Sequence, residues 1–463
     1  MILKSDYVKN NNPAFVDIDE NSMSYKALFD FCNLFFQQIN KRTLIFILSE
    51  NTIGSVAGYV ASLETKIVPL LLNSSTEVKL RENLMAIYKP EFLWIPERMI
   101  KDFDYEVVFT SYDYVLLKTD FETPILNDSL SLLLPTSGST GSPKLVRHSY
   151  ENIEQNAKNI CEVFTIKNTD RSLAILPMYY TMGLSVITSY LYGGATVLLF
   201  NGSLTDAAFW KFLKEQKISV FTGVPYSFEI LSKLRFLRMD LPELKIISQG
   251  GGKLSTELFN DFALYAEKTN KKFIATYGQT EGTARMSFLP AKFATSKIGS
   301  IGKALPNGEL YLIDVDGQKI MESNTPGEMV YRGKNVTLGY ASTLNDLQKK
   351  DERNGILKTG DIAIRDEDGF YFIVGRISRF LKLYGIRIGL DEIEELISQN
   401  FETETFCTGN DEKMKIHVTN PSILAAVSSF VILKTGLFHQ AFDVVFIPVI
   451  PRNDVGKVIY NIK

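Results

Sequence analysis

From about Ser172 onward, short runs of aliphatic and β-branched residues alternate with stretches whose apolar positions recur every three or four residues. Leu173–Leu176, Thr196–Phe200, Ser219–Thr222, Leu244–Ser248 and Phe273–Tyr277 have the length and composition of strands. Between the last two, residues 255–268 read as an amphipathic helix, with Ser255 at its cap and Leu258, Phe262 and Tyr265 at helical spacing. This rhythm predicts an α/β fold, a parallel or mixed sheet layered with helices. The first 120 residues repeat it less clearly; further on, Leu132-Leu133-Leu134 reads as a buried strand.

After Gly375 the pattern changes. Gly375-Arg376-Ile377-Ser378-Arg379 is a polar link into a small α+β unit. There Asp391 is expected to cap a helix with Ile393, Leu396 and Ile397 on one face. A strand at Lys415–Val418, a helix from about Pro421 and a strand at Val444–Ile447 follow. The expected domains are therefore residues 1–375 and 376–463.

The 463 residues carry 50 basic and 53 acidic side chains, a near balance that offers no field for nucleic acid or an acidic membrane surface. A small-molecule ligand is the expectation. The most apolar stretch, Ile53 to Leu72, is interrupted by Ser55, Gly58, Ser62, Glu64 and Lys66, so no membrane insertion is expected. Cys32, Cys161 and Cys407 form no CxxC pair, and the first residues lack the pattern of a signal peptide. A cytoplasmic location is expected.

Candidate chemistry lies where strands end, which is where open α/β sheets bind ligands. Leu132–Leu134 runs through Pro135 into Thr136-Ser137-Gly138-Ser139-Thr140-Gly141-Ser142-Pro143-Lys144. Gly138 and Gly141 admit close backbone approach to an anion, the hydroxyls of Thr136, Ser137, Ser139 and Thr140 can donate to phosphate oxygens, and Lys144 adds positive charge. The glycine spacing differs from the GxxxxGK[ST] pattern of phosphoryl-transfer loops. Two further turns, Gly250-Gly251-Gly252 and Tyr277-Gly278-Gln279-Thr280-Glu281-Gly282, follow the strands ending at Ser248 and Tyr277.

The loop from Thr136 to Lys144 resembles the phosphate-binding signature of the adenylate-forming superfamily, which includes acyl- and aryl-CoA ligases, peptide-synthetase adenylation domains and luciferases. Further segments stand in that family's order: Tyr277 to Gly282, Gly327 to Gly333, Thr359-Gly360-Asp361, Gly375-Arg376 leading to Lys382-Leu383-Tyr384-Gly385-Ile386-Arg387, and Pro451 to Lys457. The opening, Asn12 to Asp17 and Ser24 to Leu28, is also similar, so the resemblance covers essentially the whole chain.

The resemblance implies a large N-terminal domain, a small mobile C-terminal one, and ATP-dependent activation of a carboxylic acid as an acyl-adenylate. A thiol of coenzyme A or of a carrier protein's phosphopantetheine would then take the acyl group. It implies that Thr136, Ser137, Gly138, Ser139, Thr140, Gly141 and Lys144 hold phosphates, Glu281 binds Mg²⁺, and Gly250, Gly251, Gly252, Thr276, Tyr277, Gly278 and Thr280 surround the nucleotide. Asp361 and Arg376 would meet the ribose, and Lys457, with Thr136 and Glu281, would form the catalytic set. The acid would lie against Tyr179, Tyr180, Met182, Gly183, Val224 and Pro225, a mostly apolar wall. Arg285 would meet a substrate charge or a thiol donor's phosphate, or form a structural salt bridge. Gly385, with Lys382, would line the thiol tunnel, while the Lys382 and Arg387 side chains would either contact the thiol donor or stay solvated.

Departures from the family pattern are informative. Ser378 occupies a hinge position that usually holds Asp, so the hinge's ion pairs must differ. The C-terminal unit is short. Tyr180 stands where acyl-CoA ligases often carry His and amino-acid-activating domains an amine-binding Asp, which disfavours an α-amino acid. The alternatives are a stand-alone adenylation enzyme for an amino-acid-like substrate and, from another class, a non-catalytic nucleotide-binding protein.

Overall fold

The computed structural model describes residues 2–9, 11–135, 144–383, 386–410, 412–435, 437–453 and 456–460. Among them are a nine-stranded and an eight-stranded sheet, each with a parallel centre. In the nine-stranded sheet Arg171–Ala174, Val220–Gly223, Ile246–Gln249 and Lys272–Tyr277 lie side by side and parallel, in the order expected of strand-helix-strand units. The eight-stranded sheet holds Leu44–Ser49, Val68–Asn73 and Leu130–Pro135 as parallel neighbours, with Leu145–Ser149 and then Gly339–Ala341 added antiparallel.

Between these sheets run helices that are apolar all round, as buried helices must be. Ile53–Glu64 buries every residue but its last, and Gly58 is required there because a side chain would strike the Trp94 indole at 2.3 Å. The Trp94 Nε1–H in turn donates to the Gly54 carbonyl at 2.8 Å. Thr181–Tyr192 is buried from Gly183 to Leu191. The stretch Ile53 to Leu72 is thus a core helix and a strand, and among the described residues no helix is long and apolar enough to cross a membrane.

The expected helix at 255–268 forms as Thr256–Lys268, with the Ser255 hydroxyl accepting from the Leu258 amide at 3.3 Å. Its inward face is Phe259, Phe262 and Tyr265; Leu258 is only half-buried.

The chain folds as two compact units. One comprises residues 1–299, 304–309 and 331–357, and the other residues 300–303, 310–330 and 358–463. The second contains an antiparallel pairing of Asp361–Arg365 with Tyr371–Arg376, and a small α+β core. In that core Thr405–Asn410, Lys413–Val418 and Phe442–Phe446 form a sheet beside helices Leu390–Asn400 and Leu424–Thr435. The helix from Pro421 begins as a single 3-10 turn.

One expectation is corrected. Gly389, not Asp391, holds the cap position of Leu390–Asn400, with no side-chain cap bond. Asp391 lies in the first turn, where its charge suits the helix dipole and pairs with Arg379 Nε at 2.5 Å.

Candidate active site

The strand Lys272–Tyr277 delivers the chain into the turn carrying Glu281. Gly278 is obligatory, because a Cβ there would sit 1.5 Å from the Ala284 carbonyl oxygen. Thr283 and Ala284 then take left-handed φ values of 50° and 73°. Residues other than glycine rarely hold that conformation without outside support.

The support comes from a distant segment. Asn335, fully buried, donates from Nδ2 to the Gly282 and Arg285 carbonyls at 2.8 and 3.1 Å and accepts from the Tyr331 hydroxyl at 2.8 Å. The Thr283 hydroxyl donates to the Asn335 carbonyl at 2.7 Å. Thr337 gives its amide and hydroxyl to the Glu281 carbonyl at 2.9 and 3.0 Å. Nearby, His148 Nδ1 is 3.3 Å from the Thr283 hydroxyl; burial, aided by the Arg353 charge, pushes its pKa down to about 3. The imidazole is therefore neutral.

The Glu281 carboxylate remains half-buried at the edge of this framework. Tyr340, on Gly339–Ala341, donates its hydroxyl to Glu281 Oε1 at 2.8 Å. The same ring carries two cations: Lys144 Nζ at 3.9 Å from its centre and the Arg353 guanidinium at 4.6 Å. Burial, then the Glu281 charge, raises the Tyr340 pKa to about 12, so it is a donor at neutral pH. Arg147, fully buried, holds the Tyr340 strand by donating to the Tyr340 and Leu338 carbonyls at 2.9 and 3.2 Å. The last residue of the Ser/Gly loop thus lies against the same tyrosine that donates to the carboxylate expected to hold a metal. Thr136, Ser137, Gly138, Ser139, Thr140 and Gly141 lie outside the described residues.

A family model described as AMP-binding enzyme matches residues 4–341. The chain belongs to the AMP-binding enzyme family. An oxalate–CoA ligase of Arabidopsis thaliana is 29% identical over 285 residues, 60% of this chain and 54% of that protein. A 2-succinylbenzoate–CoA ligase of Listeria monocytogenes is 27% identical over 377 residues, 79% and 75% of the two chains. In the plant ligase and in a luciferin 4-monooxygenase of Luciola mingrelica the matched stretch spans about half of the relative, 54% and 49%. The O-succinylbenzoate coenzyme A synthetase of Bacillus subtilis, solved in complex with AMP, shares the fold. Its TM-score is 0.77 at 21% identity, covering 97% of this chain and 95% of that one.

For this AMP-binding enzyme, the Gly250 turn is built for close approach. A side chain at Gly250 would meet Met182 Cε and Thr276 Oγ1, each at 2.6 Å, and Gly251 has φ +78°. The turn is tied down by Gln249 Nε2 donating to the Gly252 carbonyl at 2.7 Å and by Thr276 Oγ1 donating to the Gln249 carbonyl at 3.0 Å. The Thr280 and Thr181 hydroxyls lie 2.8 Å apart, joining the Glu281 turn to the start of the helix Thr181–Tyr192. The Tyr179 and Tyr180 rings lie tilted against each other, 4.7 Å between centres, just before that helix, and Asn73 Nδ2 donates to the Tyr179 hydroxyl at 3.0 Å. Gly183 admits no Cβ, since the Pro177 and Leu176 carbonyl oxygens lie within 2.5 Å of its position. Val224 packs on Gly251.

In the second unit, Asp361 and Arg376 are paired residues on neighbouring strands, and Arg376 Nε lies 2.7 Å from Asp361 Oδ1. Asp361 is 1% exposed, its amide donating to the Thr359 hydroxyl at 3.1 Å. Lys457 is exposed on a tight turn. Its amide donates to Asn453 Oδ1 at 2.9 Å, its carbonyl accepts from the Asn453 amide at 2.8 Å, and Gly456 supplies a φ of +75°.

At the expected hinge, Arg379 pairs with Asp391 and Glu394, supplying the ion pairs that Ser378 does not. Burial raises the Glu394 pKa to about 7. Lys382 lies on the strand Phe380–Leu383 opposite Arg387, and Gly385 is outside the described residues.

Proposed function

We propose that this AMP-binding enzyme activates a carboxylic acid with ATP as an acyl-adenylate and passes the acyl group to the thiol of coenzyme A or of a carrier protein's phosphopantetheine. The observation that carries this reading is the convergence of Lys144 and Glu281 on Tyr340. It sets a phosphate-binding cation and a hard oxygen ligand against one ring. The fit to Mg²⁺ is chemical: no group of three metal-binding side chains exists among the described residues. Mg²⁺ is commonly held by one or two carboxylates together with substrate phosphates and water. Bound there, the ion would neutralise phosphate charge.

The chain's own residues account for the remaining requirements. Lys144 and the loop before it would hold the departing pyrophosphate. The bare backbone of Gly250 to Gly252, with Thr276, Tyr277, Gly278 and Thr280, leaves room for a flat base, and Asp361 would accept from ribose hydroxyls, with Arg376 beside it. Lys457 would bridge the substrate carboxylate and the α-phosphate, offsetting their repulsion and the charge that grows in the transition state.

Residues 376–463 form the moving body in this reading, pivoting after Gly375, with Lys382, Gly385 and Arg387 along the thiol path. Tyr179, Tyr180, Met182, Gly183 and Val224 would receive the acid. A cytoplasmic location is part of the same reading, supported by three free cysteines. Pyrophosphate release from ATP, measured across fatty, aromatic, hydroxy and amino acids with thiol capture, tests it. At least one non-amino acid is expected to release pyrophosphate and yield a thioester; ATP binding with no pyrophosphate from any acid would overturn it.

A further inference from the structure

Beneath the Gly250 turn lies a set of buried polar groups that the adenylation chemistry does not use. Strand register places Thr222 beside Ser248 and Ser172 beside Val220. Alternation along the strands then puts Ser172, Thr222, Ser248 and Gly250 on one face. A side chain at Gly250 would strike Met182, so this face looks onto the helix Thr181–Tyr192. The three hydroxyls form a diagonal leading down from the expected acid-binding wall, and all are at most 1% exposed and lack hydrogen-bond partners among the described residues.

The Tyr190 hydroxyl near the end of that helix, also buried, is without a hydrogen-bond partner among the described residues too. The Ser172 hydroxyl is a neighbour of the Tyr190 hydroxyl.

In the same interior stands Arg285. It is 1% exposed, its guanidinium is 5.1 Å from the centre of the Phe164 ring, and none of its three nitrogens has a hydrogen-bond partner among the described residues. The structural salt bridge envisaged from the sequence is absent among the described residues. Asp170, an acid near Tyr190, is occupied by the Lys167 amide at 2.8 Å and Lys245 at 4.0 Å. Burial draws the Arg285 pKa down only to about 10, leaving it charged at neutral pH.

A buried cation with no counter-charge is strongly unfavourable unless an anion completes it. Every orphan group here can donate a hydrogen bond, and a guanidinium offers the fork that matches a carboxylate. We propose that the acid activated by this enzyme carries a second carboxylate, received at Arg285 beside the Tyr190, Ser172, Thr222 and Ser248 hydroxyls. This assignment rests on the adenylation reading for its location and names the substrate class. Tyr190 lies ten residues beyond Tyr180, about 15 Å along the helix axis, so the two carboxylates are separated by a chain or ring rather than adjacent. Met182, a flexible thioether lying against Gly250, is the residue that yields as the acid enters.

The test uses the full chain with α,ω-dicarboxylic acids of about eight to sixteen carbons, whose extended lengths bracket the separation from Tyr180 to Tyr190, and the monocarboxylic acids of equal length. Pyrophosphate release by the wild type should favour at least one dicarboxylate over its monoacid by about 100-fold in kcat/KM, as a site built around polar groups rejects an analogue lacking the partner. Arg285→Met should bring that ratio to within about threefold, mainly through KM, while its thermal midpoint stays at or above wild type because an unpaired buried cation has become apolar. Arg285→Lys should restore part of the ratio as a point charge.

No dicarboxylate preference in the wild type, or one that survives in Arg285→Met, overturns the proposal and leaves adenylation intact. If no acid of either series releases pyrophosphate, the adenylation reading falls instead. The rise in thermal midpoint produced by dicarboxylate without ATP then decides the Arg285 assignment: its loss in Arg285→Met upholds the assignment, and its absence in the wild type overturns it.

Discussion

The turns that carry Glu281 and Lys457 are built on opposite principles. Glu281 is held from far along the chain: Asn335, Thr337 and Tyr340 lie 50 to 59 residues from the atoms they bind around it, and the first two are fully buried. Lys457 is held by its own neighbourhood, with Asn453, four residues away, closing the turn from both sides. A group fixed by packing is pre-organised where it stands, whereas a group fixed by its own turn keeps its geometry when the unit bearing it moves. This is the division of labour required if a metal ligand stays with the nucleotide while a catalytic cation arrives for one half-reaction and leaves for the next.

The comparison breaks most sharply at Lys457. Lys457→Ala should lower acyl-adenylate formation by about 100- to 1,000-fold, measured by pyrophosphate release. Thioester formation from a preformed adenylate should stay within about twofold, and the thermal midpoint should hardly change, since the side chain is exposed. Asn335→Ala should do the reverse. It orphans the Gly282 and Arg285 carbonyls and the Tyr331 hydroxyl, so urea unfolding should show a loss of roughly 2–4 kcal/mol.

Acid should separate the two regions as well. The His148 pKa is depressed from 6.5 to about 3, so the unfolded chain binds more protons between those values. Its contribution to stability is complete above about pH 6.5 and is lost progressively as pH falls toward 3. His148→Leu should flatten the decline in urea midpoint between pH 7.5 and 5, a change on the order of 1–2 kcal/mol. The smallest effect is expected at Tyr340→Phe, which removes one hydrogen bond to Glu281 but keeps the ring against Lys144. About 1 kcal/mol, read as a severalfold rise in the Mg²⁺ concentration needed for half-maximal pyrophosphate release, is the expected cost.

The same contrast explains what was legible in the sequence. Strands such as Thr196–Leu199 and the helix Thr256–Lys268 announce themselves because periodicity and caps are local. Gly250 and Gly278 were visible as turns, and Lys144, Glu281, Asp361 and Lys457 stood in recognisable segments. Asn335, Thr337, Tyr340, Arg147 and Arg353 were not legible, since their roles arise only when Gly339–Ala341 pairs with Leu145–Ser149 across nearly 200 residues of chain. The misplaced cap at Asp391 has a related cause. An acidic residue at the start of a helix looks the same whether it caps a backbone amide or answers Arg379, whose position the local sequence does not reveal.

The central claim is that the α-phosphate of ATP is attacked by a carboxylate. The most direct measurement follows oxygen from an acid labelled with ¹⁸O in its carboxylate, through adenylation and thiol capture. The account predicts AMP and unlabelled pyrophosphate as products, with one ¹⁸O in the AMP phosphate, because the attacking oxygen stays on phosphorus when the thiol takes the acyl group. ADP with label in inorganic phosphate, or AMP without label, would contradict it.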